Sequence, residues 1–175
     1  IYNEATGFIA TSRRMAGKAM QEGSEEWRKA VTRGDLLPMM LVQDDPFFIR
    51  VVAGDALTDQ EQEEWVARCV WHLNISDGKL CITGGSIFAY EDYDAGDPYY
   101  EQYVGQVDVP KGRYRATLYS QLHGINGSSV LDHLAGGLYG AGEEAEAFWA
   151  RTRTGAPPKW MEEELIGFLL HLEPI

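Results

Sequence analysis

The sequence predicts an α+β fold, mainly antiparallel β, built as a sandwich or a strongly bent sheet with a few short helices at its edges. Apolar residues alternate over the eleven residues from Trp65 to Ile75, which is the period of a half-buried strand. Further short apolar runs are separated by Gly, Pro and Asp turn signals, and helix start signals are few. The 175 residues fit one domain, 1–175, able to bury a core without a disulfide or a metal.

The first part of the chain is predicted to mix extended segments with short helices. Strands are expected at Tyr2 to Ala10, Leu36 to Val42 and Phe47 to Val52. Ser24 is a suitable N-cap for a helix that stops at Gly34. Within that helix, Glu25 and Lys29 have the spacing of an i,i+4 ion pair. Thr58 to Glu61 matches a capping box and predicts a second short helix.

A first hairpin is predicted around Asp77-Gly78, which favours a two-residue turn. It would join the strand from Trp65 to Ile75 to a return strand from Lys79 to Thr83. In that register Cys69 and Cys81 lie on opposite faces of the sheet. Because a disulfide cannot pass through a sheet, both cysteines are expected to be reduced and structural.

A second hairpin is predicted from Tyr103 to Gln121, with its turn at Val109 to Gly112. The residues expected on its core face are Val104, Tyr114, Ala116 and Leu118.

The C-terminal third contains one predicted helix and one ambiguous segment. Glu143 to Arg153 begins with acidic residues and ends with basic ones, as helices prefer. Residues 164–172 fit either a helix or a strand, and their nearly continuous apolar character and Gly167 favour a buried strand.

The charge balance restricts the partners. There are 15 Lys+Arg against 27 Asp+Glu, so the formal net charge is −12, which argues against nucleic acid or an anionic membrane as the main partner. No apolar run reaches the length of a membrane span. Two cysteines are too few for a disulfide scaffold, so a soluble cytoplasmic protein is expected.

The most unusual stretch is residues 90–103, called the acidic segment below. It combines five carboxylates with five tyrosines and has no basic residue. Its candidate partner-binding residues are Glu91, Asp92, Tyr93, Asp94, Asp97, Tyr99, Tyr100 and Glu101. A calcium loop is a poor match, because the regular ligand spacing and the distal bidentate Glu are missing. Tyrosines beside carboxylates instead suit a surface that docks on a basic protein.

The first hypothesis is therefore a non-enzymatic binding protein that engages a basic protein partner, as an inhibitor or immunity-type protein does. A partner that acts on nucleic acid would itself be basic. A solvated loop without a partner is the plain alternative for this segment. No cofactor and no metal are expected, because the histidines and cysteines lack the spacings of metal ligands.

The alternative function is a small-ligand-binding protein or a hydrolase-type enzyme. Its candidate residues, from His123 to His133, are His123, Ser128, Asp132 and His133. They supply the residue types of a catalytic triad, but no nucleophile-elbow motif holds either neighbouring serine. A third possibility, an oligomeric structural protein, rests on the five Trp, and the oligomeric state stays open.

Overall fold

The computed structural model describes residues 7–16, 18, 23–40, 48–63, 65, 67–84, 104–120, 146–148 and 166–175. Within these ranges the chain forms nine strands and three short helices. The strands are β1 (Gly7–Ser12), β2 (Leu36–Met40), β3 (Phe48–Ala53), β4 (Ala67–Ile75), β5 (Lys79–Gly84), β6 (Val104–Asp108), β7 (Gly112–Ser120), β8 (Glu146–Phe148) and β9 (Ile166–Pro174). The helices are α1 (Arg13–Ala16), α2 (Glu25–Thr32) and α3 (Asp59–Glu63).

The strands are arranged in two sheets. Sheet A has the order β2-β1-β5-β6 and is antiparallel throughout. Sheet B has the order β3-β9-β7-β4-β8, in which β3 and β9 run parallel and the other neighbours run antiparallel. The predicted fold class, α+β with mainly antiparallel strands and a few short helices, is confirmed.

The main core lies between the two sheets. Sheet A contributes Phe8, Leu37, Leu80 and Ile82, and sheet B contributes Leu73, Leu118, Leu170 and Leu172. The rings of Phe8 and Phe168 meet edge to face across this layer, with centroids 5.4 Å apart. Because side chains alternate along a strand, each sheet also presents a second face, and parts of both outer faces are covered by helices.

Helix α2 covers the outer face of sheet A. Its Trp27, Ala30 and Val31 pack into a cluster with Ile9 and Cys81. The predicted capping is confirmed, since the Ser24 hydroxyl accepts a hydrogen bond from the Trp27 backbone at 3.2 Å. The predicted i,i+4 ion pair is also present, with Lys29 Nζ 2.6 Å from the Glu25 carboxylate, and both side chains are exposed.

Helix α3 and its flanking residues cover part of the outer face of sheet B. The predicted capping box is confirmed: Thr58 N–H donates to the Glu61 carboxylate at 2.8 Å, and Glu61 N–H donates to the Thr58 hydroxyl at 3.2 Å. Glu61 also pairs with Arg50 of β3 at 3.1 Å. Leu57 and Trp65 pack on Tyr119 and Leu169 of the sheet, so this corner of the outer face is closed.

The first predicted hairpin is wrong, because β4 and β5 belong to different sheets. The chain does turn at Asp77-Gly78, where Gly78 has φ 82°, but it crosses there from sheet B to sheet A. Strand β4 pairs along nine residues with β7, whereas β5 has only six residues to offer. The longer ladder satisfies more backbone groups of β4, and the two apolar faces still meet across the core.

The second predicted hairpin is also wrong. Strand β6 pairs with β5 in sheet A, and β7 pairs with β4 and β9 in sheet B. Tyr114, Ala116 and Leu118 face the main core as predicted. Val104 does not, since it lies in the other sheet and packs against the outer cluster under α2. The chain thus passes back from sheet A to sheet B between β6 and β7. A hydrogen bond of 3.1 Å from Val109 N–H to Gly78 O joins this connection to the one between β4 and β5.

The two predictions for the C-terminal third have different outcomes. Glu146–Phe148 is a strand that pairs with Arg68 to Val70 of β4, so a helix from Glu143 to Arg153 is wrong at these positions. Pairing there satisfies backbone groups on the side of β4 that β7 does not reach. The rest of that predicted helix lies outside the described residues. The buried C-terminal strand is confirmed by β9.

The two cysteines are free and buried, as predicted. Cys69 lies between the sheets and Cys81 lies on the outer face of sheet A, so sheet A separates them.

Candidate functional site

The predicted partner-binding residues, Glu91, Asp92, Tyr93, Asp94, Asp97, Tyr99, Tyr100 and Glu101, lie outside the described residues. The structure does define where the chain leaves and re-enters the fold around them. The chain departs after Gly84 at the end of β5 and returns at Val104 at the start of β6. Thr83 and Val104 are ladder partners, whose Cα atoms lie about 5 Å apart in such a pair. Both ends of the connection that carries the acidic segment are therefore fixed at one place.

Strand β6, which follows the acidic segment directly, lies at the edge of sheet A. Gln106, Val107 and Asp108 are exposed, and Val107 is 40% accessible although it is a large apolar residue. Lys79 of β5 pairs with Asp108 at 2.6 Å, so the carboxylate at the far end of β6 is already engaged by a cation. The acidic segment therefore joins an exposed strand edge at Val104, while Val107 and the Lys79–Asp108 ion pair lie towards the opposite end of the strand.

The residues of the alternative hypothesis, His123, Ser128, Asp132 and His133, also lie outside the described residues. In the part of the chain that the structure describes, no three His, Cys, Asp or Glu side chains are grouped in a way that could hold a metal ion. Across the same residues, no helix is both long and apolar enough to cross a membrane.

The cysteine thiols are held in the protonated state. Burial raises the pKa of Cys69 well above its ordinary value. Burial, reinforced by the nearby Asp77 carboxylate, raises the pKa of Cys81 to about 11. Since the thiolate is the nucleophilic form, neither cysteine is suited to covalent catalysis at neutral pH.

A groove of about 310 Å³ lies on the outer face of sheet B, beside the corner closed by α3. The described residues that line it are Ala56, Leu57, Gln62, Arg68, Val70, Arg115, Thr117, Tyr119, His171 and Glu173. The strand register arranges the seven of them that lie on β4, β7 and β9 in three rows. The rows are Arg68 with Tyr119, then Val70 with Thr117 and His171, then Arg115 with Glu173.

At one end of the groove Arg68 lies on aromatic rings. Its guanidinium carbon is 4.8 Å from the centroid of Trp65 and 5.9 Å from that of Tyr119. Burial raises the pKa of the Tyr119 hydroxyl, while the charge of Arg68 and a hydrogen bond from it oppose that rise. Stacking on two rings limits the conformations of the arginine and fixes a positive charge at this end.

At the other end Arg115 pairs with Glu173 over a long distance of 3.9 Å, and both side chains are nearly half exposed. An ion pair of this length and exposure contributes little stability. Between the two ends, His171 is held in position by a contact of 3.0 Å between its Nε2 and the Asp55 carbonyl.

The groove is not evident from the sequence, although the alternation that places its residues on one face is present. The alternation along β4 correctly assigns Arg68, Val70 and His72 to the face away from the core. The same alternation gives Arg115, Thr117 and Tyr119 to one face of β7. The two sets come together only through the pairing of β4 with β7, and the predicted hairpins excluded that pairing.

The fold defines a two-sheet α+β class with helices on the outer faces, and solved structures of this kind are known. The chain resembles the structure of "Crocagin biosynthetic gene J", with a TM-score of 0.50, 12% identity, and coverage of 97% of this chain and 91% of that one. It also aligns with ComJ from Bacillus subtilis, described as an inhibitor of the DNA-degrading activity of NucA, with a TM-score of 0.46, 8% identity, and coverage of 99% and 92%. The sequence matches no protein-family model and no curated protein. The first similarity establishes a shared fold.

Proposed function

We propose that this chain is a non-enzymatic binding protein that engages a basic protein partner through the acidic segment, in the manner of an inhibitor or immunity protein. The observation that carries the proposal is the anchoring of this segment. Its connection leaves and re-enters sheet A at the ladder pair Thr83 and Val104, next to an exposed strand edge. Five carboxylates with no basic residue are thereby attached at a single site on a packed sandwich.

The chemistry of the segment supports a basic protein as its partner. The five carboxylates between Glu91 and Glu101 attract a cationic surface and increase its rate of association. The interleaved tyrosines supply apolar area and a hydroxyl at low conformational cost, which is the composition of protein-binding surfaces. Farther along β6, about three residues from the junction at Val104, the exposed Val107 adds one apolar group to the same strand edge.

The class of partner follows from the sign of the charge. A protein that acts on nucleic acid carries a basic surface to bind phosphates, so a nuclease-like or toxin-like protein is the kind of partner that an acidic inhibitor fits. We place this interaction in the cytoplasm, because two cysteines are too few for the disulfide scaffold that is typical of small secreted domains.

The test compares three immobilised baits. The first is the wild-type chain. The second carries five neutralising substitutions in the acidic segment: Glu91→Gln, Asp92→Asn, Asp94→Asn, Asp97→Asn and Glu101→Gln. The third is a control with the same change in net charge on exposed positions of α2, α3 and the loop after β3: Glu25→Gln, Glu26→Gln, Asp55→Asn, Asp59→Asn and Glu63→Gln. Each bait is exposed to the cation-exchanger-binding fraction of the native lysate, and the retained proteins are identified by mass spectrometry.

We expect at least one basic protein to be retained by the wild type and by the control, and to be lost from the bait with the neutralised segment. Capture alone is no support, because any acidic bait retains some basic protein. Retention of the same proteins by all three baits, or of none by the wild type, would refute the proposal.

A further inference from the structure

The groove on the outer face of sheet B contrasts with the rest of the molecule in its charge. The whole chain has a net charge of −12, yet the described lining of the groove holds two arginines against one glutamate. Arg68 and Arg115 lie at its two ends, on rows separated by about 13 Å, four residues along β7. An excess of positive charge in a concave site of an acidic protein indicates a ligand of the opposite sign.

The walls between the arginines combine a small aliphatic patch with polar groups. Leu57 and Val70 line the groove with the small part of their side chains that stays accessible, while Thr117 and His171 place a hydroxyl and an imidazole in the middle row. The volume of about 310 Å³ is at the small end of the range for small-molecule sites, which begins at roughly 300 Å³. A macromolecule would need a broader surface than this groove offers.

We propose that this groove binds a small organic anion whose carboxylate or phosphate group is held by Arg68 and whose apolar body lies over Val70 and Leu57. Arg68 takes the primary role because its stacking on Trp65 and Tyr119 holds the guanidinium in place before a ligand arrives. Arg115 takes a secondary role, since Glu173 neutralises part of its charge. The site is distinct from the acidic segment and does not depend on the function proposed for it.

The long-range field of the acidic chain does not prevent this binding. At physiological ionic strength charges are screened beyond about 8 Å, so contacts inside the groove decide the affinity. Charge-assisted hydrogen bonds to a guanidinium are among the stronger polar contacts in proteins, and a planar guanidinium matches both carboxylate and phosphate oxygens.

The experiment is isothermal titration calorimetry of the full chain with three probes of similar shape: phenyl phosphate, benzoate and the neutral benzyl alcohol. The two anionic arms distinguish a phosphate from a carboxylate ligand. We expect at least one anion to bind with a dissociation constant of about 1 mM or tighter, and benzyl alcohol to bind at least about tenfold more weakly.

Four variants then locate the site. Arg68→Gln is expected to weaken anion binding about tenfold or more, and Arg115→Gln several-fold. These changes are in the range for the loss of charge-assisted hydrogen bonds. Glu173→Gln removes the carboxylate from the described lining and is expected to tighten binding. Arg113→Gln is the matched control, because Arg113 lies on the same strand, on the same face and outside the groove lining, and it should leave the affinity unchanged.

The folding of each variant is verified by its urea unfolding midpoint. Arg115 and Glu173 are nearly half exposed, so their variants keep the test valid even where Arg68→Gln disturbs its aromatic neighbours. Absence of binding by both anions, equal binding of benzyl alcohol, or equal affinities of the Arg115→Gln, Glu173→Gln and Arg113→Gln variants would overturn the proposal.

Discussion

The junction between α2 and β4 allows a sharp test of the packing. Helix α2 ends in a Schellman motif: Gly34 N–H donates to Val31 O at 2.9 Å, Asp35 N–H donates to Ala30 O at 2.9 Å, and Gly34 has φ 75°. The Gly34 carbonyl in turn accepts a hydrogen bond of 2.7 Å from the backbone N–H of Asn74. A methyl group at Gly34 would lie 2.7 Å from the His72 carbonyl oxygen and 3.1 Å from its carbon.

The substitution Gly34→Ala therefore meets two separate costs. A side chain in the left-handed region costs about 1–2 kcal/mol. The clash is with the backbone of a central strand, which cannot rotate away, and overpacking of this kind adds roughly 1–3 kcal/mol. We expect the free energy of unfolding to fall by about 2–5 kcal/mol.

Gly54→Ala is the matched control, because Gly54 has φ 79° but no atom within 4 Å of the position of the added methyl group. Gly54→Ala should lower the free energy of unfolding only by the cost of a side chain in the left-handed region, about 1–2 kcal/mol. Urea unfolding followed by tryptophan fluorescence measures both variants. A difference between them of less than about 0.5 kcal/mol, the usual scatter of such comparisons, would refute the close approach of Gly34 to β4.

Two further predictions concern the cap of α3 and the buried thiol of Cys81. Thr58→Ala removes one side of the capping box and should destabilise the protein by about 1 kcal/mol, measured as a shift of the urea midpoint against the exposed control Thr32→Ala. Burial raises the pKa of Cys81 to about 11, above the ordinary thiol value of about 8.5, so the stabilisation is complete below the unfolded-state pKa and is lost as the pH rises towards 11. Unfolding free energies measured from pH 8 to 11 should fall more steeply for the wild type than for Cys81→Ala, and parallel curves would contradict the assignment.

The local structure of this chain could be predicted from its sequence, because the signals are themselves local. The cap at Ser24, the capping box at Thr58 and the alternation along β4 depend on residues within a few positions of one another. Each of these predictions is confirmed by hydrogen bonds or by burial in the structure.

The pairing of strands could not be predicted in the same way. The chain bends at Asp77-Gly78, where Gly78 has the positive φ that a tight turn favours, yet the bend joins two sheets and not two neighbours in one sheet. An apolar strand face is buried equally well by either arrangement, so periodicity does not distinguish them. What decides the pairing is the nine-residue ladder between β4 and β7, whose paired residues are 37 (Ile75 and Gly112) to 53 (Ala67 and Ser120) positions apart in the chain.

The groove could not be predicted from the sequence either, because it also depends on which strands pair. Arg68 and Arg115 are 47 positions apart in the sequence, and each alone looks like an ordinary outward-facing residue of a half-buried strand. The predicted helix is wrong at Glu146 for a related reason: pairing of three residues with β4 outweighs the favourable charges at the ends of that helix.

The central claim is that the acidic segment binds a basic protein, and its most direct test is the salt dependence of that affinity. The dissociation constant of the captured basic protein is measured at about 50 and 500 mM NaCl for the wild-type chain, the variant with the neutralised segment and the charge-matched control. We predict that high salt raises the dissociation constant at least tenfold for the wild type and for the control. The neutralised variant should bind the basic protein weakly at both salt concentrations. Equal dissociation constants for the wild type and the neutralised variant at low salt would contradict the claim.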